Sequence, residues 1–117
     1  MKLIFVYGTL KRGSSNHSFL AGQTFLGEAQ SAPGFRLFEL DGYPGLVPRP
    51  DDREGVSGEV WSVDPACLAR LDILEGTAEG LYRREPLPLL PPYADQVVEA
   101  YVYSHGVEGR REIGTRW

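Results

Sequence analysis

Two stretches of this chain hold residues whose types and spacing could do chemistry. One is "DPACLARLDILEG", Asp64 to Gly76. On a helix of about 3.6 residues per turn, Cys67, Leu68, Leu71 and Leu74 share one apolar stripe. Glu75 falls on that stripe too, four residues after Leu71 and seven after Leu68. A helix that packs on a core normally keeps carboxylates off that face. Burial there and the negative end of the helix dipole both disfavour the ionised form. Both therefore raise the carboxyl's pKa toward the range of a general base at neutral pH. The alternative is that the helix end frays and Glu75 turns out to solvent just before Gly76. Asp72, at the edge of the stripe, reads as solvated or as a partner of Glu75.

The other stretch is "FVYGTLKRG", Phe5 to Gly13. Gly8 and Gly13 have the spacing of the phosphate loop G-x-x-x-x-G-K-[ST], but Ser14 stands where the lysine belongs. Without that lysine the β- and γ-phosphates lose a main counter-charge, and Lys11 and Arg12 lie in the wrong register to replace it. Nucleotide binding is not expected. What remains is backbone. A buried strand that ends in Tyr-Gly-Thr presents N–H groups as the chain turns, and glycine lets a ligand approach them closely. Such a nest holds negative charge, including charge that exists only in a transition state. The plainer alternative is that Gly8 makes a turn and Thr9 caps the segment after it.

The other candidates are weaker. His17 and His105 are far apart and lack ligand spacing, so no metal site is expected. Cys67 is the only cysteine, which leaves no disulfide and no cysteine-based zinc site. It reads as a small buried residue in a reducing compartment. Ser14, Ser15 and Ser18 lack the G-x-S-x-G context of a nucleophile. Asn16 and His17 read as hydrogen-bonding the loop backbone, and Trp61, Tyr101 and Tyr103 as strand aromatics of the core.

These residues need elements to position them. "LIFVY" is continuously apolar and reads as a strand buried on both faces. "QTFLGEAQ" and "FRLFEL" read as strands separated by the turn "SAPG". "SSNHSFLAG" holds one short helical turn at most. "DGYPG" is a strong turn signal, and "LVPRPDD" has too much proline for a central strand. "GVSGEVWSV", "LYRREPLPLL" and "VVEAYVYS" are further strands, the last two joined by "PPYADQ". The helix between them is well marked: Asp64 suits the N-cap, Pro65 the first helical position and Gly76 the left-handed cap. The sum is six strands and one good helix, an α+β arrangement, mostly antiparallel and able to close into a small barrel.

The 117 residues suit one domain, 1–117, and a hydrophobic fraction of 42% supports a core. The polar segment from about residue 106 has no clear period and is expected to be poorly ordered. A net charge of −4 argues against a nucleic-acid partner, which needs a clustered basic surface. The apolar run after Met1-Lys2 is shorter than a secretory signal requires, and no segment approaches a membrane span. The expectation is a soluble, cytoplasmic protein that has no membrane partner. The sequence is silent on oligomeric state.

"FVYGTLKRGSSNH", "GEVWSVD" and "LDILEG" followed by "LYRRE" resemble the γ-glutamylcyclotransferase-like family, most nearly its γ-glutamylamine cyclotransferase and AIG2-like branch. The resemblance runs from about Lys2 to Ser104. It implies a small, mostly antiparallel β-barrel flanked by short helices. It also implies a reaction on a small γ-glutamyl amine or amide, in which the substrate's own α-amine attacks its γ-carbonyl. 5-Oxoproline and a free amine are released, and neither a covalent enzyme nucleophile nor a cofactor is called for. Glu75 matches the family's catalytic glutamate. The backbone of Tyr7, Gly8, Thr9 and Leu10 would hold the substrate and the oxyanion. Tyr82, seven residues after Glu75, matches a family tyrosine that closes the pocket or bonds the substrate; its alternative is a core aromatic. The leaving amine does not follow from the resemblance, and the loops "DGYPGLVPRPDD" and "PPYADQ" are where its recognition is expected. Two rivals stay open: a binding domain without catalysis, and a γ-glutamyl hydrolase or acyltransferase on the same scaffold.

Overall fold

The computed structural model describes residues 1–117. Its elements run β1 (Lys2–Val6), a one-turn 3-10 helix (His17–Leu20), β2 (Thr24–Gln30), β3 (Phe35–Glu39), β4 (Pro44–Pro48) and β5 (Ser57–Val63). After these come α1 (Pro65–Leu74), β6 (Tyr82–Pro86), β7 (Glu99–Tyr103) and β8 (Glu112–Gly114). The strands form a five-stranded sheet in the order β2-β5-β1-β7-β6 and a three-stranded sheet in the order β4-β3-β8.

The apolar run at the start explains the centre of the larger sheet. β1 lies between β5, antiparallel, and β7, parallel, so both of its edges and both of its faces are covered. Side chains alternate across a strand. Ile4 and Val6 enter a core beneath α1, with Leu71, Cys67 and Tyr82. Phe5 and Tyr7 enter a second core with Leu37, Leu46 and Val60. A strand that feeds two cores cannot alternate apolar with polar, and this one does not.

α1 starts as its sequence predicts. The Asp64 carboxylate accepts the Cys67 N–H at 2.7 Å, and Pro65 occupies the first turn. Gln23 completes the cap from the end of the 3-10 segment, its amide oxygen accepting the Asp64 N–H at 2.8 Å. Gly76, at φ +65°, takes the left-handed conformation that closes the helix. Cys67 and Leu71 are fully buried.

Three expectations change. The two sheets are not closed into a barrel. β4 and β7 pack across the gap by side chains, with Gly45 against Tyr103, rather than by a hydrogen-bonded ladder. Pro44 and Pro48 have no N–H to give such a ladder, which confines β4 to an edge. The C-terminal segment, expected to be poorly ordered, contains β8, which pairs with β3. It also supplies the Thr115 carbonyl to the Ser57 N–H at 2.7 Å. Finally, the "LPLL" end of the fifth expected strand lies outside β6. Leu87 and Leu89 are buried there as core side chains, Leu89 forming a single bridge to Ser31.

Candidate active site

From Gly8 to Leu10 the loop after β1 is held through its carbonyls. The Gly8 carbonyl accepts the Lys11 N–H at 3.1 Å, and the Thr9 carbonyl accepts the Asn16 N–H at 2.8 Å. The Leu10 carbonyl lies 3.1 Å from His17 Nδ1, and Asn16 Nδ2 donates to Thr9 Oγ1 at 3.0 Å. The N–H groups of Tyr7, Gly8, Thr9 and Leu10 donate to no acceptor in the chain. Buried backbone donors are almost always partnered, so a run of free ones beside a cavity marks a place for an acceptor from outside. Gly8 is needed here for a reason of space. A Cβ on it would stand 2.4 Å from Pro44 Cγ. The loop and the β3–β4 turn close on each other only because the side chain is missing.

Glu75 is the C-cap of α1, its N–H bonded to the Leu71 carbonyl at 2.9 Å. Its side chain is half-buried and forms no ion pair or hydrogen bond with the protein. Burial pushes its carboxyl up from 4.5 to about 7. Nothing offsets that burial, because the arginine that reaches this end of the helix from β6 is already committed. Arg84 Nη1 donates to Asp72 at 2.8 and 2.9 Å, and Tyr101 Oη donates to the same carboxylate at 2.7 Å. Asp72 is thus partly solvated, as one reading had it, but its partners are Arg84 and Tyr101 and not Glu75. It clamps the helix end to β6 and β7. Its carbonyl accepts the Thr77 N–H at 3.1 Å, which secures the turn just past Glu75.

A cavity of about 380 Å³ brings the two regions together. Tyr7, Gly8, Thr9, Leu10, Glu75 and Tyr82 all line it. Tyr82 Oη donates to the Pro44 carbonyl at 2.7 Å and Tyr7 Oη to the Tyr101 carbonyl at 2.6 Å. Burial raises the pKa of both phenols, and neighbouring charge, including that of Glu75, raises them further. Both stay neutral, and with their protons already donated they can offer the cavity only oxygen lone pairs. Lys11 and Arg12 do not line it.

Other lining residues were not singled out as site residues in the sequence. Ser15 and Asn16 reach the cavity because the turn after Gly13 folds back over Thr9. Leu74 and Leu81 bracket Glu75 with apolar surface, and Tyr101, expected as core only, contributes to the wall. Of the two loops expected to recognise a leaving group, only "DGYPG" supplies lining, through Gly42, Tyr43 and Pro44. "PPYADQ" lies away from this cavity, with Pro91 on a separate polar groove. Nothing in local sequence distinguishes those two loops, since only the β3–β4 hairpin is folded against Gly8.

The open two-sheet α+β fold defines a class of small domain, and comparison with known proteins gives its family. The family described as "Gamma-glutamyl cyclotransferase, AIG2-like" matches residues 4–117, and the chain belongs to it. The match continues past Ser104, where the motif resemblance stopped, and takes in β8. The chain is 40% identical over 112 residues to a Vibrio cholerae protein provisionally named a gamma-glutamylcyclotransferase, covering 96% of this chain and 92% of that one. It is 36% identical over 110 residues to the gamma-glutamylcyclotransferase family protein YtfP of Escherichia coli K12, covering 94% and 89%. The solution structure of the Escherichia coli protein superposes with a TM-score of 0.71 over 97% of this chain and 92% of that one. The crystal structure of an AIG2-like protein from Mus musculus, 31% identical, gives 0.72 over 91% and 78%. No helix is long and apolar enough to cross a membrane.

Proposed function

We propose that the chain is a γ-glutamyl cyclotransferase that converts a small γ-glutamyl amine or amide into 5-oxoproline and a free amine, with Glu75 as the proton carrier. One observation carries this reading. An unpaired, desolvated carboxylate and a run of unpartnered backbone N–H groups line the same cavity. A ligand-binding domain gains nothing from leaving Glu75 desolvated and unpaired, whereas a general base needs it so.

The proposed steps rest on that pairing. The substrate's neutral α-amine attacks its own γ-carbonyl carbon, and the new C–N bond closes a five-membered ring. Glu75 takes the proton that the amine loses. The carbonyl oxygen becomes an oxyanion and lies against the N–H groups of the Tyr7–Leu10 loop. Glu75 then gives its proton to the leaving nitrogen as the original C–N bond breaks. The carboxylate ends as it began. A base at about 7 is half ionised at neutral pH and so is suited to both transfers. General acid–base help of this kind is worth about 10²–10⁴-fold, and one oxyanion donor about 10²–10³-fold. Holding the glutamyl chain folded adds a proximity term. Tyr82 has two roles here: it pins the Pro44 wall, and its oxygen accepts from the substrate's amine.

The test is to incubate the protein with γ-glutamyl amines, γ-glutamyl amino acids and glutathione and to measure 5-oxoproline, with Glu75→Gln alongside. The expected result is release by the wild type on at least one compound and near-total loss in the variant. Equal release by both would overturn the role of Glu75. Free glutamate in place of 5-oxoproline would replace cyclisation with hydrolysis, and binding without turnover would leave a binding domain.

A further inference from the structure

A second buried carboxylate holds the donor loop at Arg12, does not line the cavity and has no part in the reaction above. Glu59, in the middle of β5, is only 7% exposed. Its Oε1 accepts the Arg12 backbone N–H at 3.1 Å and the Trp61 indole N–H at 3.1 Å. Its Oε2 accepts Arg12 Nε at 3.0 Å. The Arg12 guanidinium rests over the Phe25 ring, 3.8 Å from its centroid. Arg12 is therefore tied at its backbone, its Nε and the face of its guanidinium.

The geometry of the peptide unit says what this tie does. In a trans peptide the carbonyl of one residue and the N–H of the next point in opposite directions. The Gly8 and Thr9 carbonyls are engaged by Lys11 and Asn16, so the Thr9 and Leu10 N–H groups are turned the other way. The Lys11 carbonyl accepts the Ser14 N–H at 3.0 Å, and the opposite side of that peptide is the Arg12 N–H, held by Glu59. Every plane from Gly8 to Arg12 has at least one edge engaged. Most of those bonds come from the segment 8–17 itself. The one that anchors the loop's backbone to the sheet is Glu59.

We infer that Glu59 is a positioning residue: acting through Arg12, it holds the loop so that the Thr9 and Leu10 N–H groups face the cavity before a substrate arrives. For the substrate this rests on the cyclotransferase reading, but for the loop geometry it does not. It also gives Arg12 a use. Arg12 is the loop's anchor to β5 and not a ligand for phosphate. A donor array set in advance needs no reorganisation as charge develops, and that is the source of its rate effect.

The test uses the full chain with Glu59→Gln, Glu59→Leu and Arg12→Ala. Amide hydrogen exchange at Lys11 and Arg12 gives a readout independent of turnover. Both amides are expected to exchange at least about tenfold faster in Glu59→Gln, while β5 amides stay protected. On a substrate that yields 5-oxoproline, kcat/KM is expected to fall about tenfold in Glu59→Gln and about 100-fold in Glu59→Leu. The acid limb of the pH profile stays where Glu75 sets it. A merely structural role would lower the folded fraction and leave kcat, KM and loop exchange of the folded protein unchanged, and that result overturns the proposal. If Glu59→Leu does not fold, Arg12→Ala replaces it. That change touches a side chain on the surface, leaves the backbone bond to Glu59, and is expected to cost less than the Leu variant. If the wild type releases no 5-oxoproline, the cyclotransferase reading fails, while the exchange data still decide whether Glu59 holds the loop.

Discussion

Glu59 holds the loop after β1 at Arg12, Glu75 shares a cavity with its first residues, and their pKa values move in opposite directions. Burial would raise Glu59, but hydrogen bonds from Trp61 and Arg12, with the charge of Arg12, outweigh it and hold that carboxyl below its usual value. Burial also raises Glu75, to about 7, and no donor opposes it. Burial is common to the two; the donors decide the sign. Donors that hold a carboxylate make it a fixed acceptor and a good anchor. A carboxylate without them stays able to move a proton. Asp72, three residues before Glu75 on the same helix, is likewise held by donors, from Arg84 and Tyr101.

The largest break in this contrast is expected from Glu75→Gln, which keeps the shape and removes the proposed proton carrier. 5-Oxoproline release in a coupled assay is expected to fall by about 10²–10⁴-fold. In the wild type, kcat/KM is expected to rise with pH through about 7, the value for Glu75, and this limb should vanish in the variant's residual activity. A limb centred near the ordinary carboxylate value would show that Glu75 is not the base.

Next in size is Gly8→Ala. Its Cβ would meet Pro44 Cγ at 2.4 Å, so the loop must shift away from the β3–β4 turn. Turnover is expected to drop about 10–100-fold through misplaced donors. Stability should fall by about 1–3 kcal/mol from overpacking, as read in urea melts. Unchanged kinetics would mean that the approach of loop and turn does not matter to the site.

A smaller effect sharpens the comparison through stability. Between about 4.5 and 7 the folded protein keeps a proton on Glu75 that the unfolded chain has released. The stability from this group is complete below about 4.5 and is lost as pH rises through about 7. Above that range Glu75→Gln is therefore expected to be more stable than the wild type, by about 1–3 kcal/mol. Glu59 has the reverse sign. Its contribution is present above the ordinary carboxylate range and lost as pH falls through its lowered value, so Glu59→Gln should destabilise at neutral pH and less in acid. Chemical denaturation at pH 5 and pH 8 measures both. Two variants shifting in the same direction at pH 8 would remove the contrast.

The smallest is Tyr82→Phe, which deletes the 2.7 Å bond to the Pro44 carbonyl. The loss is expected to be about 1 kcal/mol of stability, with a KM rise of a few-fold and little change in kcat. A large fall in kcat would move Tyr82 from the cavity wall to the chemistry.

Local pattern carried far in this chain because its strongest signals are one-dimensional. The apolar run of β1, the Asp64-Pro65 start and Gly76 stop of α1, and the stripe that includes Glu75 depend on neighbours within a few residues. β8 was hidden because a three-residue polar strand has no period to read; only β3 as a partner makes it a strand. The difference between an open pair of sheets and a barrel was hidden for a similar reason. It turns on whether β4 pairs with β7 or only packs on it, which no single segment encodes.

The sequence by itself determined α1 and six of the eight strands, the family motifs and the placing of a carboxylate on the core face of α1, because these arise from backbone periods and local capping. Tertiary structure alone decided that Glu75 goes unpaired while Asp72 and Glu59 do not, and that the free N–H groups of Tyr7 to Leu10 share its cavity. The reason is that donors, unlike periods, come from residues far apart in the chain: Arg84 and Tyr101 to Asp72, Arg12 to Glu59, and none to Glu75.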